Sequence, residues 1–147
     1  MMSKVNIKNS LISVSNKTNI DLLAKELVKL NIKIISTGGT AKFLRKKSIN
    51  IIDVYKISGF PEILDGRVKT LHPKIFGGIL NRPNFQKDEQ ILIDHKIENI
   101  DLIIVNLYEF EKTMKNSNSN QLIIENIDIG GPSLIRASAK NYKFKTI

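Results

Sequence analysis

Between Gly66 and Pro73 the chain reads Gly-Arg-Val-Lys-Thr-Leu-His-Pro, which gathers the cations Arg67 and Lys69, the Thr70 hydroxyl and the His72 imidazole in one short stretch. A set of this kind suits an anion. Lys69 lies between Val68 and Thr70, behind a glycine and close to a proline, so its backbone is bent and restricted rather than carried on a regular helix face. Alone, a basic octapeptide in a lysine-rich chain is ordinary solvated loop charge. Other polar clusters change its weight: Ser15-Asn16-Lys17, Ser36-Thr37-Gly38-Gly39-Thr40, Asn106-Leu107-Tyr108 and Asp128-Ile129-Gly130-Gly131, with Lys140 further on.

The elements that carry these clusters follow from hydrophobic patterning. Leu11 to Ser15 is a short apolar run ended by a polar turn, and reads as a buried strand. Ile20, Leu23, Ala24, Leu27, Val28 and Leu30 then recur at helical spacing, with Asp21 in the first turn where the helix dipole favours an anion. Ile32 to Ile35 is a second strand. After it come the Ser-Thr-Gly-Gly-Thr turn and a helix expected from Thr40 through Ala41, Phe43 and Leu44, so the strand-loop-helix unit occurs twice. Strands buried on both faces read as continuous Ile/Val runs, and right-handed crossovers put the loops at their carboxyl tips on one side of the sheet. Both loops therefore face one crevice. Adjacent glycines let backbone amides approach an anion, and a helix amino terminus aims free N–H groups at the same point.

Ile51 to Val54 is expected as a third strand. The stretch from Ser58 through Pro73 is long and irregular, and loops of that length in a compact domain are usually functional. Ile75 to Leu80 is interrupted by Gly77-Gly78. Asn81 to Asp88 reads as a flexible surface loop, and a helix is expected from about Asp88 to His95. Leu102 to Val105 is the most apolar strand, and its tip delivers Asn106 and Tyr108. Lys115 to Asn120 is a low-complexity loop, Leu122 to Ile127 a short helix, and Pro132 and Ser133 suit the start of a helix through Leu134, Ile135, Ala137 and Lys140. Phe144 to Ile147 reads as the beginning of a last strand.

Composition narrows the chemistry. The chain has 147 residues, 41% hydrophobic and 25% charged, the size and balance of one globular domain, so residues 1–147 are expected to form one. No apolar run approaches the length of a membrane span, and the start Met-Met-Ser-Lys-Val-Asn-Ile-Lys lacks a secretory apolar core. Cytoplasmic residence and no membrane partner are expected. With no cysteine and only His72 and His95 as histidines, a metal centre is not expected. The formal charge of +9 would suit phosphate neutralisation. The lysines, however, are scattered singly and in pairs, without an arginine-rich arm or interleaved aromatics, so no nucleic-acid partner is expected.

In order along the chain, residues 13–18, 36–40, 59–73, 106–108, 127–131 and 136–141 resemble one family, the IMP cyclohydrolase region of the bifunctional purine biosynthesis enzyme AICAR transformylase/IMP cyclohydrolase. The resemblance implies a methylglyoxal-synthase-like α/β fold, a three-layer domain around a parallel sheet. It implies dehydrating ring closure of formamidoimidazole carboxamide ribonucleotide (FAICAR) to IMP, with no cofactor and with a homodimer as the assembly. Carried over by motif, Lys69, Tyr108, Asp128 and Lys140 match the catalytic set. Ser15, Asn16, Lys17, Thr37, Gly38, Gly39, Thr40, Arg67, Thr70, Val105, Asn106 and Ile129 match the nucleotide-binding positions. Lys69 is expected to polarise the formyl oxygen, and Lys140, oriented by Asp128 and Tyr108, to move protons.

Three positions depart from the family pattern: Glu109 stands where proline usually follows the tyrosine, Phe76 where histidine is usual, and Asn19 where glycine is usual. Family members also continue through the rest of the cyclohydrolase region and a transformylase domain, so the chain is expected to be truncated at its carboxyl end and to lack transformylase. Other readings of the same fold are a regulatory ligand-binding module, an inactive remnant, and methylglyoxal synthase, whose carboxylate and histidine placement is not found here.

Overall fold

A computed structural model describes residues 6–147. The amino-terminal stretch read above as lacking an apolar core begins in residues 1–5, which lie outside the described residues. Four parallel strands, β1 (Asn9–Val14), β2 (Lys33–Ser36), β3 (Ile52–Asp53) and β4 (Leu102–Asn106), form one sheet in the order β3-β2-β1-β4. Leu11 is in register with Ile35 on one side and Ile103 on the other.

Side chains alternate across each strand, and this sorts the core into two. Leu11, Ile35 and Ile103 pack with Val54, Ile75, Ile79, Leu134 and Ala137 on one face. These come from α3 (Val54–Ser58), α4 (Pro73–Leu80) and α8 (Gly130–Lys140). Ile12, Val14 and Ile34 pack on the other face with Ile20, Ala24, Leu27 and Leu44, from α1 (Ile20–Lys29) and α2 (Gly38–Lys46). The result is the expected three-layer α/β domain around a parallel sheet. Because β2 and β4 flank β1 on opposite sides, the chain reverses its direction of travel across the sheet there, and open α/β sheets form their ligand crevices outside the strand tips at such a point.

Several boundaries differ from expectation for local reasons. β3 is only two residues long, because Val54 turns into α3 and drops its side chain into the core at 2% exposure. Gly77-Gly78 does not interrupt anything: residues 73–80 are helical, with Pro73 in the first turn and the His72 Nδ1 accepting the Lys74 amide. His72 is thus a cap. The polar stretch after α4 is held by Asp88, which accepts from the Arg82 amide at 2.9 Å and from its Nε at 2.8 Å. α5 (Gln86–Asp94) follows directly. The short helix expected from Leu122 is α7 (Asn120–Glu125), the low-complexity loop before it shortens to residues 117–119, and an unexpected helix, α6 (Phe110–Asn116), precedes that loop; neither helix buries a residue. The last strand is a single parallel bridge between Leu102 and Thr146. Among the described residues no helix is long and apolar enough to cross a membrane.

Candidate active site

A crevice of about 650 Å³ opens over the carboxyl tips of β1 and β4. Its floor comes from Ser13, Val14 and Ser15, and its walls from the amino-terminal turns of α2 and α8, the turn around Lys69, and the segment from Ile124 to Ile129. The helix termini are placed by specific bonds. Thr40 Oγ1 accepts the Val14 amide at 3.1 Å and donates to the Val14 carbonyl at 2.9 Å, which fixes the first turn of α2 against the end of β1. α2 begins earlier than expected, at Gly38, because the Ala41 amide donates back to the Thr37 carbonyl at 3.2 Å, and Gly38 itself takes φ +56°, a conformation that glycine adopts without strain.

Asn106 brackets the β1 loop. Its Oδ1 accepts the amides of Ser15 and Asn16 at 2.7 and 3.0 Å, and its Nδ2 donates to the Asn16 carbonyl at 2.9 Å. The loop so held carries Lys17, whose Nζ donates to the Ser15 carbonyl at 3.0 Å and lies 3.8 Å from where a Cβ on Gly39 would be. A cation and the free amides of α2 therefore converge on one spot, which is the geometry that binds a phosphate.

Opposite, Asp128 Oδ1 accepts the Gly131 amide at 2.8 Å and Oδ2 accepts the Tyr108 amide at 3.3 Å. A side chain on Gly131 would stand 2.7 Å from Asp128 Oδ2 and 2.6 Å from Leu107, so only glycine permits this seating of the carboxylate. Arg67 forms a two-pronged ion pair with Glu125 of α7. That bond and the carboxylate charge hold the guanidinium above its ordinary pKa.

The structure brings together Ser15, Lys17, Thr37, Gly39, Thr40, Arg67, Lys69, Thr70, Asn106, Tyr108, Asp128 and Ile129 around this crevice. Gly38 backs it, 3.1 Å from the Lys69 Nζ if a Cβ were present. Two expected positions serve the site indirectly: Asn16 through its bonds to Asn106, and Val105 through the core beneath. Lys140 is not brought in. It lies in the last turn of α8, roughly 15 Å along the helix from Gly130. The neighbouring Asn141 donates to the carbonyls of Ile79 and Asn81, at the end of α4 remote from Thr70.

Two groups missed in the sequence stand in or near the crevice, Glu125 on Arg67 and Glu62 on Lys69. A third, Lys145, is buried at the opposite end of the sheet and donates to Gly78 O, Asn81 Oδ1 and Asn99 Oδ1 at 3.0, 2.9 and 2.9 Å. Burial lowers its pKa to about 8, against a smaller raising effect from Asp101. Its partners are spread over the sequence, so no local pattern announces it.

A family model described as MGS-like domain matches residues 19–133. The chain belongs to this family. It is 54% identical over 136 residues to the bifunctional purine biosynthesis protein PurH of Clostridioides difficile (strain 630), covering 92% of this chain and 27% of that protein. It is 53% identical over 133 residues to PurH of Aquifex aeolicus (strain VF5), covering 90% and 26% respectively. Among solved structures, the crystal structure of ForH superposes with a TM-score of 0.78 at 30% identity, covering 95% of this chain and 72% of that one. The chain spans about a quarter of the length of the curated relatives it matches. The MGS-like match runs from Asn19, just beyond the loop that carries Lys17, to Ser133 in the first turn of α8, so it takes in most of the crevice wall.

Proposed function

We propose that this MGS-like domain is an IMP cyclohydrolase, closing the second purine ring of FAICAR with loss of water. The observation that carries the reading is the convergence on one crevice of a phosphate-type pocket, made by Lys17 and the start of α2, with Lys69, Tyr108 and Asp128 on the remaining walls. The 5′-phosphate sits at Lys17 and residues 37–40, and the heterocycle reaches toward Lys69, Asp128 and Ile129.

In the reaction the carboxamide nitrogen attacks the formyl carbon, and the C–N bond forms as the carbonyl π electrons move onto oxygen. Lys69 polarises that oxygen and stabilises the developing negative charge. The carboxamide nitrogen gives up one proton on addition and keeps the other, the former formamide N–H gives up its proton on elimination as the C=N bond forms, and the former formyl oxygen departs with both as water. Asp128 and the Tyr108 phenol are the crevice groups suited to relay these protons. Lys140, expected from the family resemblance to move protons, receives no role in this crevice because of its distance from it. No cofactor is required by the electron balance.

The domain is proposed to work as a homodimer. Met114 of α6 and Leu122 of α7 are more than half exposed outside the crevice, an apolar surface that association would cover. Cytoplasmic residence, a free nucleotide as substrate and no nucleic-acid or membrane partner complete the proposal. Incubation with FAICAR and chromatographic detection of IMP tests the activity, and sedimentation tests the dimer. Absence of IMP above the uncatalysed rate would refute the cyclohydrolase.

A further inference from the structure

We propose that Glu62 is a positioning residue for Lys69, holding the ammonium over the crevice in the orientation that the ring closure uses. Ile63 and Val68 pair as an antiparallel bridge, with amide-to-carbonyl distances of 3.2 and 3.4 Å in the two directions. Leu64, Asp65 and Gly66 make the reversal between them, all at positive φ. The next pair outward from that bridge is Glu62 and Lys69, so the turn sets these two side chains opposite each other.

The contacts agree with the backbone. Glu62 Oε1 lies 3.6 Å from Lys69 Nζ, and Oε2 lies 3.4 Å from the Thr37 hydroxyl. One carboxylate thus links the lysine to the loop that opens α2. The lysine stem is seated against two glycines. A Cβ on Gly66 would stand 2.6 Å from Lys69 Cε and 2.4 Å from Glu62 Oε1, and a Cβ on Gly38 would stand 3.1 Å from Lys69 Nζ. The pair therefore occupies a groove that any larger residue at either glycine would fill.

A lysine carries its charge on a flexible stem with several rotatable bonds, and an unpartnered one sweeps solvent. Both members of this pair are partly exposed, so the ion pair adds little to stability. Its consequence is directional. When substrate arrives, the formyl oxygen takes up the face of the ammonium turned away from Glu62, and the carboxylate remains as the counter-ion that keeps Lys69 aimed.

This inference rests on the cyclohydrolase reading for its catalytic consequence, and two measurements keep the two apart. In a double-mutant cycle on FAICAR turnover, Glu62→Gln is expected to lower kcat by about tenfold while KM stays within about twofold, a loss of orientation rather than of binding. Glu62→Asp should recover part of the loss, and Glu62→Gln should add nothing in the Lys69→Ala background. Losses that multiply in the double variant would overturn the proposal. Independently of activity, acylation of Lys69 followed by peptide mapping should rise about threefold or more in Glu62→Gln relative to exposed Lys56, with Lys145 still protected. Equal Lys69 labelling in parent and variant would overturn the pairing, and a parent that makes no IMP would refute the reaction while leaving the labelling result to decide the pairing.

Discussion

Asn106 accepts the Ser15 amide at 2.7 Å, tying the tip of β4 to the loop that follows β1. The same side chain holds Asn16 by two further bonds, and Asn16 Oδ1 in turn accepts the Thr18 amide and hydroxyl, so Asn106 anchors the loop that presents Lys17. Asn106→Ala should cost only about 1 kcal/mol of stability, because water reaches these exposed groups and replaces the lost bonds. Affinity for IMP should fall about tenfold, since the loop must then be ordered on binding. Urea unfolding and calorimetric titration of the same protein measure the two effects, and a loss confined to stability would contradict this role.

Gly66→Ala separates fold from function at the Lys69 turn. The backbone there has φ +85°, and the new methyl group would collide with the ends of Glu62 and Lys69. Those side chains can swing away, so the stability cost should be that of the conformation alone, about 1–2 kcal/mol. Turnover should fall by at least about tenfold, because Lys69 is the group displaced. Thermal melts and FAICAR kinetics on one preparation test this.

Gly78→Ala should act in the opposite way. Its Cβ would lie 2.4 Å from the Glu98 carbonyl oxygen, a backbone atom with no rotamer to adopt. A loss of about 1–3 kcal/mol, at the upper end of that range, is expected from overpacking between α4 and the segment leading to β4. Residual folded protein should retain its turnover per mole.

Lys145 gives the stability its pH signature. Burial lowers its folded pKa to about 8, so between that value and the unfolded value of 10.5 the unfolded chain binds more protons than the native one. Stability contributed by this group therefore rises with pH across that window and is lost as pH falls through about 8. Lys145→Met leaves three acceptors without their donor and should cost about 1.5–3 kcal/mol at neutral pH. The gap between parent and variant should widen from pH 8 to pH 10.5 in denaturant titrations, and a constant gap would contradict the assignment.

β1, β2, β4, α1 and the body of α2 were legible because continuous Ile/Val runs, helical spacing and a Gly-Gly turn are local signals. α4 was not legible, since Gly77-Gly78 looks like a break, whereas those residues are small so that Ile97, Glu98 and Ile100 can approach. Lys69 and Asp128 were visible as members of motifs. Glu62 was hidden inside the same motif block, because its link to Lys69 depends on a reversal at three residues of positive φ that composition does not reveal. Lys140 shows the converse: the resemblance names it, while the length of α8 carries it away from the crevice.

Single-turnover conversion of FAICAR to IMP by the parent and by Lys69→Ala tests whether this crevice closes the ring through Lys69. The parent is expected to form IMP, and Lys69→Ala to form it at a rate lower by about a hundredfold or more, the usual scale for losing an oxyanion stabiliser, with the thermal midpoint unchanged. Equal rates in the two proteins, or no IMP from the parent, would contradict it.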